Sequence, residues 1–287
     1  MRPLRVLVAT TIVVATATAA APVGASPAAL PDTDYAALGD SAAAGPLVLP
    51  MDLDQPGCHR SEVNYPSLAA MSLGVRSLHD VTCDGADFDD VHRPKSTDFG
   101  DMPPQIEAIT ADTDLVTLHF GANDIGLVGA AMDCINLLPQ PFGDSCKAEQ
   151  TAGGVDRLKA KIDATAPELV ATLDAIRSRA PQARIFVVGY ATYLPSNGCY
   201  PLVPVWKVDA NYIRSTLDSL NAMLRTTAVA NDAGYIDLAT PSVGHDMCKA
   251  PGVRWVEPLI PGSIAAPLHP NNIGMVGFAQ AVVATVQ

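Results

Sequence analysis

Four short blocks in the chain carry residue types that can perform acyl chemistry. Gly39-Asp40-Ser41 holds a hydroxyl and directly follows a short apolar run, Tyr35 to Leu38. A serine at a strand-to-helix turn presents its hydroxyl upward, with its own N–H at a helix N-terminus where negative charge is favoured. The same tripeptide is also ordinary helix-capping chemistry. Cys83-Asp84-Gly85-Ala86 follows a second run. A glycine there lets the backbone approach a ligand closely and offer an N–H, or simply makes a turn beside a disulfide. Gly121-Ala122-Asn123-Asp124 follows Leu115 to Phe120. An asparagine amide can donate to an oxyanion, and Asn-Asp equally ends a strand in a turn. His269-Pro270-Asn271 precedes the last helical stretch, and a neutral imidazole beside a serine hydroxyl is the usual general base. His59, His79, His92, His119 and His245 lie in no comparable setting. His119 reads as part of a buried strand and the rest as loop or surface residues.

The elements that must position these blocks alternate. Strands are expected at Tyr35 to Leu38, Val75 to Val81, Leu115 to Phe120, Arg184 to Tyr190 and Gly234 to Leu238. Helices are expected at Val63 to Leu73, Pro104 to Thr110, Leu158 to Arg179 with an interruption at Pro167, Asp209 to Ala230 and Ile273 to Val286. Such alternation predicts an α/β fold, a mostly parallel five-stranded sheet with helices on both faces. The near-continuous apolar run at 115–120 fits a strand covered on both sides. Ligands of such sheets bind at the carboxyl ends of the strands, where three of the blocks fall.

The 287 residues carry a net charge of −12, with 48% hydrophobic and 17% charged residues. That balance is globular. It argues against nucleic acid, which needs a basic face, and against electrostatic docking on anionic lipid. Arg2 and Arg5, the uncharged run Val6 to Ala21 and the small residues of Val23-Gly24-Ala25 follow the order of a secretory signal. The run is shorter and richer in Ala and Thr than a membrane span prefers. Cleavage near Ala25 is expected, leaving residues 26–287 as one domain, secreted or in the cell envelope, with 16 bases against 30 acids. The six cysteines, Cys58, Cys83, Cys134, Cys146, Cys199 and Cys248, then read as three disulfides. Fifteen pairings are open. The sequential one, Cys58–Cys83, Cys134–Cys146 and Cys199–Cys248, closes the shortest loops without crossing and is the expected one. No C-x-x-C or other metal-ligand spacing occurs, so no metal is expected.

Together and in this order, the four blocks resemble the SGNH (GDSL) hydrolase family, across about Asp34 to Gly277. The secreted actinobacterial branch is similar in carrying Cys58-His59-Arg60-Ser61 before Tyr65-Pro66, three disulfides and the His-Pro-Asn block. The resemblance implies a three-layer, flavodoxin-like α/β/α sandwich and ester hydrolysis without metal or cofactor. It implies Ser41 as nucleophile, His269 as base, and an oxyanion hole made by the Ser41 and Gly85 N–H groups and the Asn123 side chain. Gly-x-Ser-x-Gly is absent at Ser41, which disfavours the ordinary α/β-hydrolase fold. Two departures stand out. Many members have an acid three residues before the histidine, where this chain has Ala266, so the Ala266 carbonyl is expected to hold the His269 Nδ1–H instead. Ala42 replaces a larger aromatic residue of secreted relatives and widens the space beside Ser41.

Three apolar, proline-rich loops, at 46–51, 200–206 and 256–261, are expected to wall a groove for an acyl chain, with Trp206 and Trp255 as candidate groove residues. The expected activity is hydrolysis of lipid or other acyl esters by a monomer without stable membrane insertion. The same residues would also serve a cell-envelope acyltransferase, a carbohydrate deacetylase or, with activity lost, a binding protein.

Overall fold

The computed structural model describes residues 29–287; the expected export signal lies outside them. The chain alternates as β1 (Asp34–Gly39), α1 (Ser41–Ala44), α2 (Tyr65–Leu73), β2 (Ser77–Asp80), α3 (Phe88–His92), β3 (Lys95–Thr97), β4 (Gly100–Met102), β5 (Leu115–His119), α4 (Leu127–Asp133), α5 (Cys146–Gln150), α6 (Arg157–Arg179), β6 (Arg184–Val188), α7 (Lys207–Ala230), β7 (Gly234–Ile236) and α8 (Asn272–Val286). The five expected strands pair in the order β2-β1-β5-β6-β7, and every pairing is parallel. The polar β3–β4 hairpin has no apolar alternation and stands apart from this sheet.

Side chains alternate across each strand and feed two cores. Ala36 and Leu38 of β1 and Val116 and Leu118 of β5 pack with Leu169 and Leu173 of α6 and Leu220 and Leu224 of α7. Tyr35 and Ala37 face the other way, onto Tyr65 and Leu73 of α2 and Phe278 and Val282 of α8. Each such leucine contributes roughly 1.5–3 kcal/mol by burial, so both faces of the sheet are locked.

Pro167 does not interrupt α6, which runs unbroken for 23 residues. Proline removes one helical N–H, but Asp163, whose carbonyl is freed, is exposed to water. The buried stripe of Ile162, Leu169, Leu173 and Ile176 continues on both sides of it and holds the helix to the sheet. The helix expected over Pro104 to Thr110 forms only a single 3₁₀ turn, at Gln105–Ala108. The disulfides are Cys58–Cys83, Cys134–Cys146 and Cys199–Cys248, the sequential pairing.

Candidate active site

β1 ends where its backbone can go no further. A Cβ at Gly39 would lie 2.8 Å from the Ala43 Cβ, so only glycine lets α1 fold back onto the strand. The Gln105 amide reads Gly39 like another strand, accepting its N–H at 2.8 Å and donating to its carbonyl at 3.0 Å. Asp40 then caps α1, its carboxylate accepting the Ala42 N–H at 2.8 Å. Ser41 becomes the first helical residue, whose N–H has no partner inside the helix. Gly45, left-handed at φ 70°, ends the helix after one turn.

His269 arrives from the far end of the chain. Its Nε2 lies 2.8 Å from the Ser41 Oγ. Its Nδ1 lies 2.7 Å from the Pro267 carbonyl. That carbonyl can only accept, so Nδ1 carries the proton and Nε2 is free to take the serine hydroxyl hydrogen. This is the arrangement a base-activated nucleophile needs. The expected Ala266 carbonyl does not face the ring. It accepts the His269 backbone N–H at 3.2 Å instead. Leu268, left-handed at φ 62°, bends the chain between them and brings the Pro267 carbonyl under the imidazole.

The loop bearing His269 is clamped by a residue the sequence did not single out. Glu257 accepts the Leu268 N–H at its backbone carbonyl, at 3.1 Å, and donates its own N–H to the His269 carbonyl at 2.9 Å. Its side chain is fully buried, with Arg254 at 2.6 Å, Asn271 Nδ2 and the Gly262 N–H each at 2.7 Å, and the Ser263 hydroxyl. Burial opposes its charge, but these four donors outweigh it and hold the carboxyl down at about 2. Its signal in the sequence was a lone acid among Val256, Pro258, Leu259 and Ile260.

A second unanticipated residue, Tyr190, links two of the blocks. Its hydroxyl donates to Asp40 and accepts the Ala122 N–H at 2.9 Å. Asn221 of α7 holds its backbone from both sides, at 2.7 and 2.8 Å. Asp40 is buried, which pushes its carboxyl up to about 7 despite the bonds from Tyr190 and Ala42. Beside it, His119 is buried as expected, and the lack of solvent lowers its imidazole to about 3. It stays neutral at ordinary pH.

Asn123 follows β5 through Gly121, whose φ of 128° suits glycine. Its Nδ2 donates one hydrogen to the Ala86 carbonyl at 2.8 Å, leaving the second hydrogen of the amide. Asp124 accepts the Phe88 N–H at 3.0 Å, so the third block anchors the turn of the second. Gly85 sits in that turn with φ 70°, and Lys95 Nζ binds its carbonyl at 3.0 Å. Ser41, Asn123 and His269 share one groove. Gly85 is not among the residues that line the groove; its turn is joined to Asn123 through the carbonyl of the neighbouring Ala86.

The groove runs from Ser41 between α4 and α7, with about 880 Å³ of empty space counting its open mouth. Its walls are apolar: Leu127, Val128 and Ala131 of α4, Ile213 and Leu217 of α7, and Val203 to Val205. Ala42 lines it beside Ser41. Of the three loops expected to wall it, 200–206 does so and 256–261 contributes Leu259. The 46–51 loop does not, because its backbone pairs with 60–62 and its Pro46 carbonyl takes the Ala266 N–H at 2.9 Å. Neither tryptophan lines the groove. Trp206 donates to the Leu138 carbonyl at 2.8 Å behind the wall, and Trp255 stacks on His245 and packs edge-on against Phe278.

With this geometry the sequence matches the GDSL-like Lipase/Acylhydrolase family over residues 37–276. The chain belongs to that family. This acylhydrolase is 38% identical to Lipase 2 of Streptomyces coelicolor over 257 residues, 87% of this chain and 85% of the relative. It is 30% identical to a lipase of Streptomyces rimosus, over 78% of this chain and 76% of that one. Among solved structures it resembles phospholipase A1 from Streptomyces albidoflavus, with TM-score 0.73, 25% identity, 88% of this chain and 99% of that one covered. Its α/β fold and its standing as a carboxylic ester hydrolase of the actinobacterial SGNH branch follow from these likenesses. No helix among the described residues is long and apolar enough to cross a membrane.

Proposed function

We propose that the protein is an exported hydrolase of lipid or long-chain acyl esters that works through Ser41 and His269. The observation that carries this reading is the 2.8 Å contact between the Ser41 Oγ and the His269 Nε2 at one end of an apolar groove. His269 takes the hydroxyl proton as Ser41 attacks the ester carbonyl. The Ser41 N–H, the Gly85 N–H and the free hydrogen of the Asn123 amide stabilise the oxyanion. His269 then hands its proton to the leaving alcohol, and the acyl group stays on Ser41. Water attacks that ester with His269 again as base, releasing the acid and restoring the hydroxyl.

The apolar walls favour an acyl chain over a sugar acetate, and relatives named lipase and phospholipase A1 support the same substrate class. We read residues 1–25 as a signal removed near Ala25, and 26–287 as one domain acting as a monomer; the structural likeness to an extracellular lipase of Streptomyces rimosus supports export. The test is a p-nitrophenyl ester series from acetate to palmitate with the oxidised mature protein, beside Ser41→Ala and His269→Ala. Expected is a medium- or long-chain optimum, lost in Ser41→Ala and strongly reduced in His269→Ala. Retained turnover in Ser41→Ala would sink the mechanism, and an optimum at acetate would sink the acyl groove.

A further inference from the structure

A hydrophobic platform stands at the edge of the groove. The Cys134–Cys146 disulfide closes a loop whose side chains divide between two directions. Ile135 lines the groove, while Leu137, Leu138 and Phe142 are 81%, 60% and 67% exposed. The neighbouring loop at 199–206 divides in the same way: Val203 and Val205 line the groove and Leu202 is 67% exposed.

The two loops are stitched into one surface. Ile135 and Val205 form an antiparallel bridge, and the Asn136 N–H reaches the Pro204 carbonyl at 2.7 Å. Trp206 Nε1 donates to the Leu138 carbonyl at 2.8 Å and the Tyr200 hydroxyl to the Leu137 carbonyl at 3.3 Å. These carbonyls are satisfied on the protein side, so the leucine side chains stand outward on a tethered backbone. Neither 134–143 nor 193–206 contains a charged residue, in a chain of net charge −12, and the exposed Asp133 and Asp144 flank the first segment. A contiguous exposed apolar surface on a soluble protein marks a place of contact.

Charge selects the occupant. An acidic protein is repelled by anionic lipid and by a second copy of itself. A zwitterionic lipid surface carries no such penalty and offers apolar burial to an uncharged face. The groove runs directly behind the platform, so an acyl chain leaving a lipid layer there would enter it without crossing water. We propose that Leu137, Leu138, Phe142 and Leu202 form the face by which this protein docks on zwitterionic lipid surfaces, with the groove opening toward the layer. The use of this face in catalysis rests on the acyl-ester reading above; the docking itself does not require Ser41.

The test uses mature Ser41→Ala protein, which leaves the lipid intact, co-sedimented with phosphatidylcholine vesicles at low and high ionic strength. Binding that persists at high ionic strength is expected. Leu137→Ser, Leu138→Ser and Phe142→Ser together should weaken it on the order of a hundredfold. Leu202→Ser alone, on the other loop, should weaken it in the same direction. With Ser41 restored, the triple variant should keep wild-type kcat/KM on a soluble short-chain p-nitrophenyl ester and lose turnover of vesicle lipid. Failure of Ser41 protein to turn over either substrate would defeat the hydrolase reading while leaving the vesicle-binding result to judge the platform by itself. No vesicle binding, equal binding by the triple variant, or a wild-type dimer that the triple variant splits would each overturn the docking proposal.

Discussion

At the residue scale, the site depends on which groups hold protons. Asp40 caps the helix that presents Ser41, and burial pushes its carboxyl from 3.8 to about 7. Folded Asp40 therefore keeps its proton through a range in which the unfolded chain has released it. Stability contributed at this position falls as pH rises from about 4 to about 7. His119 acts in the opposite sense, since its imidazole is lowered from 6.5 to about 3 and the unfolded chain binds the extra proton. The two trends overlap in wild type, so a variant is needed to separate them. Asp40→Asn keeps a capping oxygen for the Ala42 N–H and removes the titration. Its Tm relative to wild type should rise between pH 5 and pH 8, followed by circular dichroism. A Tm difference that does not change with pH would show that Asp40 is not the buried acid described here.

At the element scale, α8 and the loop before it deliver His269, and Glu257 joins the two. Asn271 caps α8 through its Oδ1 while its Nδ2 donates to Glu257. Arg254 lies against the same carboxylate and is itself buried. Glu257→Gln would leave Arg254 a buried cation without its counter-charge, at a cost of about 3–5 kcal/mol. Urea unfolding should register that loss, and kcat on a short ester should fall with KM little changed, because Glu257 does not line the groove. A drop in KM-dependent binding with kcat intact would contradict the clamp. Glu257 also sets an acid limit. Its contribution is present above its unfolded value near 4.5 and is lost as pH falls toward 2.

At the scale of the whole molecule, two cores grip the sheet from both faces and three disulfides tie down the loops around the site. The loops they close differ in length, with separations of 12 residues for Cys134–Cys146 and 49 for Cys199–Cys248. Chain entropy then makes the longer crosslink worth about 4 kcal/mol and the shorter about 3 kcal/mol. Paired Cys→Ala variants in urea unfolding should rank in that order. Removing Cys134–Cys146 should in addition loosen the apolar wall beside Ser41 and depress long-chain ester turnover more than short-chain turnover. The reverse ranking would show that native-state contacts, rather than loop closure, set the value of these crosslinks.

The sequence by itself determined the alternation of strands and helices, the five strands and the four chemical blocks, and it favoured the sequential cysteine pairing among the fifteen it left open. Each is a local signal: apolar runs between turn residues, adjacent cysteines along the chain, and small motifs at strand ends. The short polar elements escaped because a hairpin such as Lys95–Thr97 with Gly100–Met102 has no apolar period to read. The tertiary structure alone decided which carbonyl meets His269, because the left-handed turn at Leu268 rotates Pro267 into place instead of Ala266. It also decided that Tyr190 joins Asp40 to Ala122, and that Glu257 clamps the histidine loop, since those partners lie far apart in sequence or have their charge hidden by burial. Groove walls were half legible for the same reason: an apolar loop declares that it needs a partner, and only packing determines whether that partner is the core, another loop or the substrate.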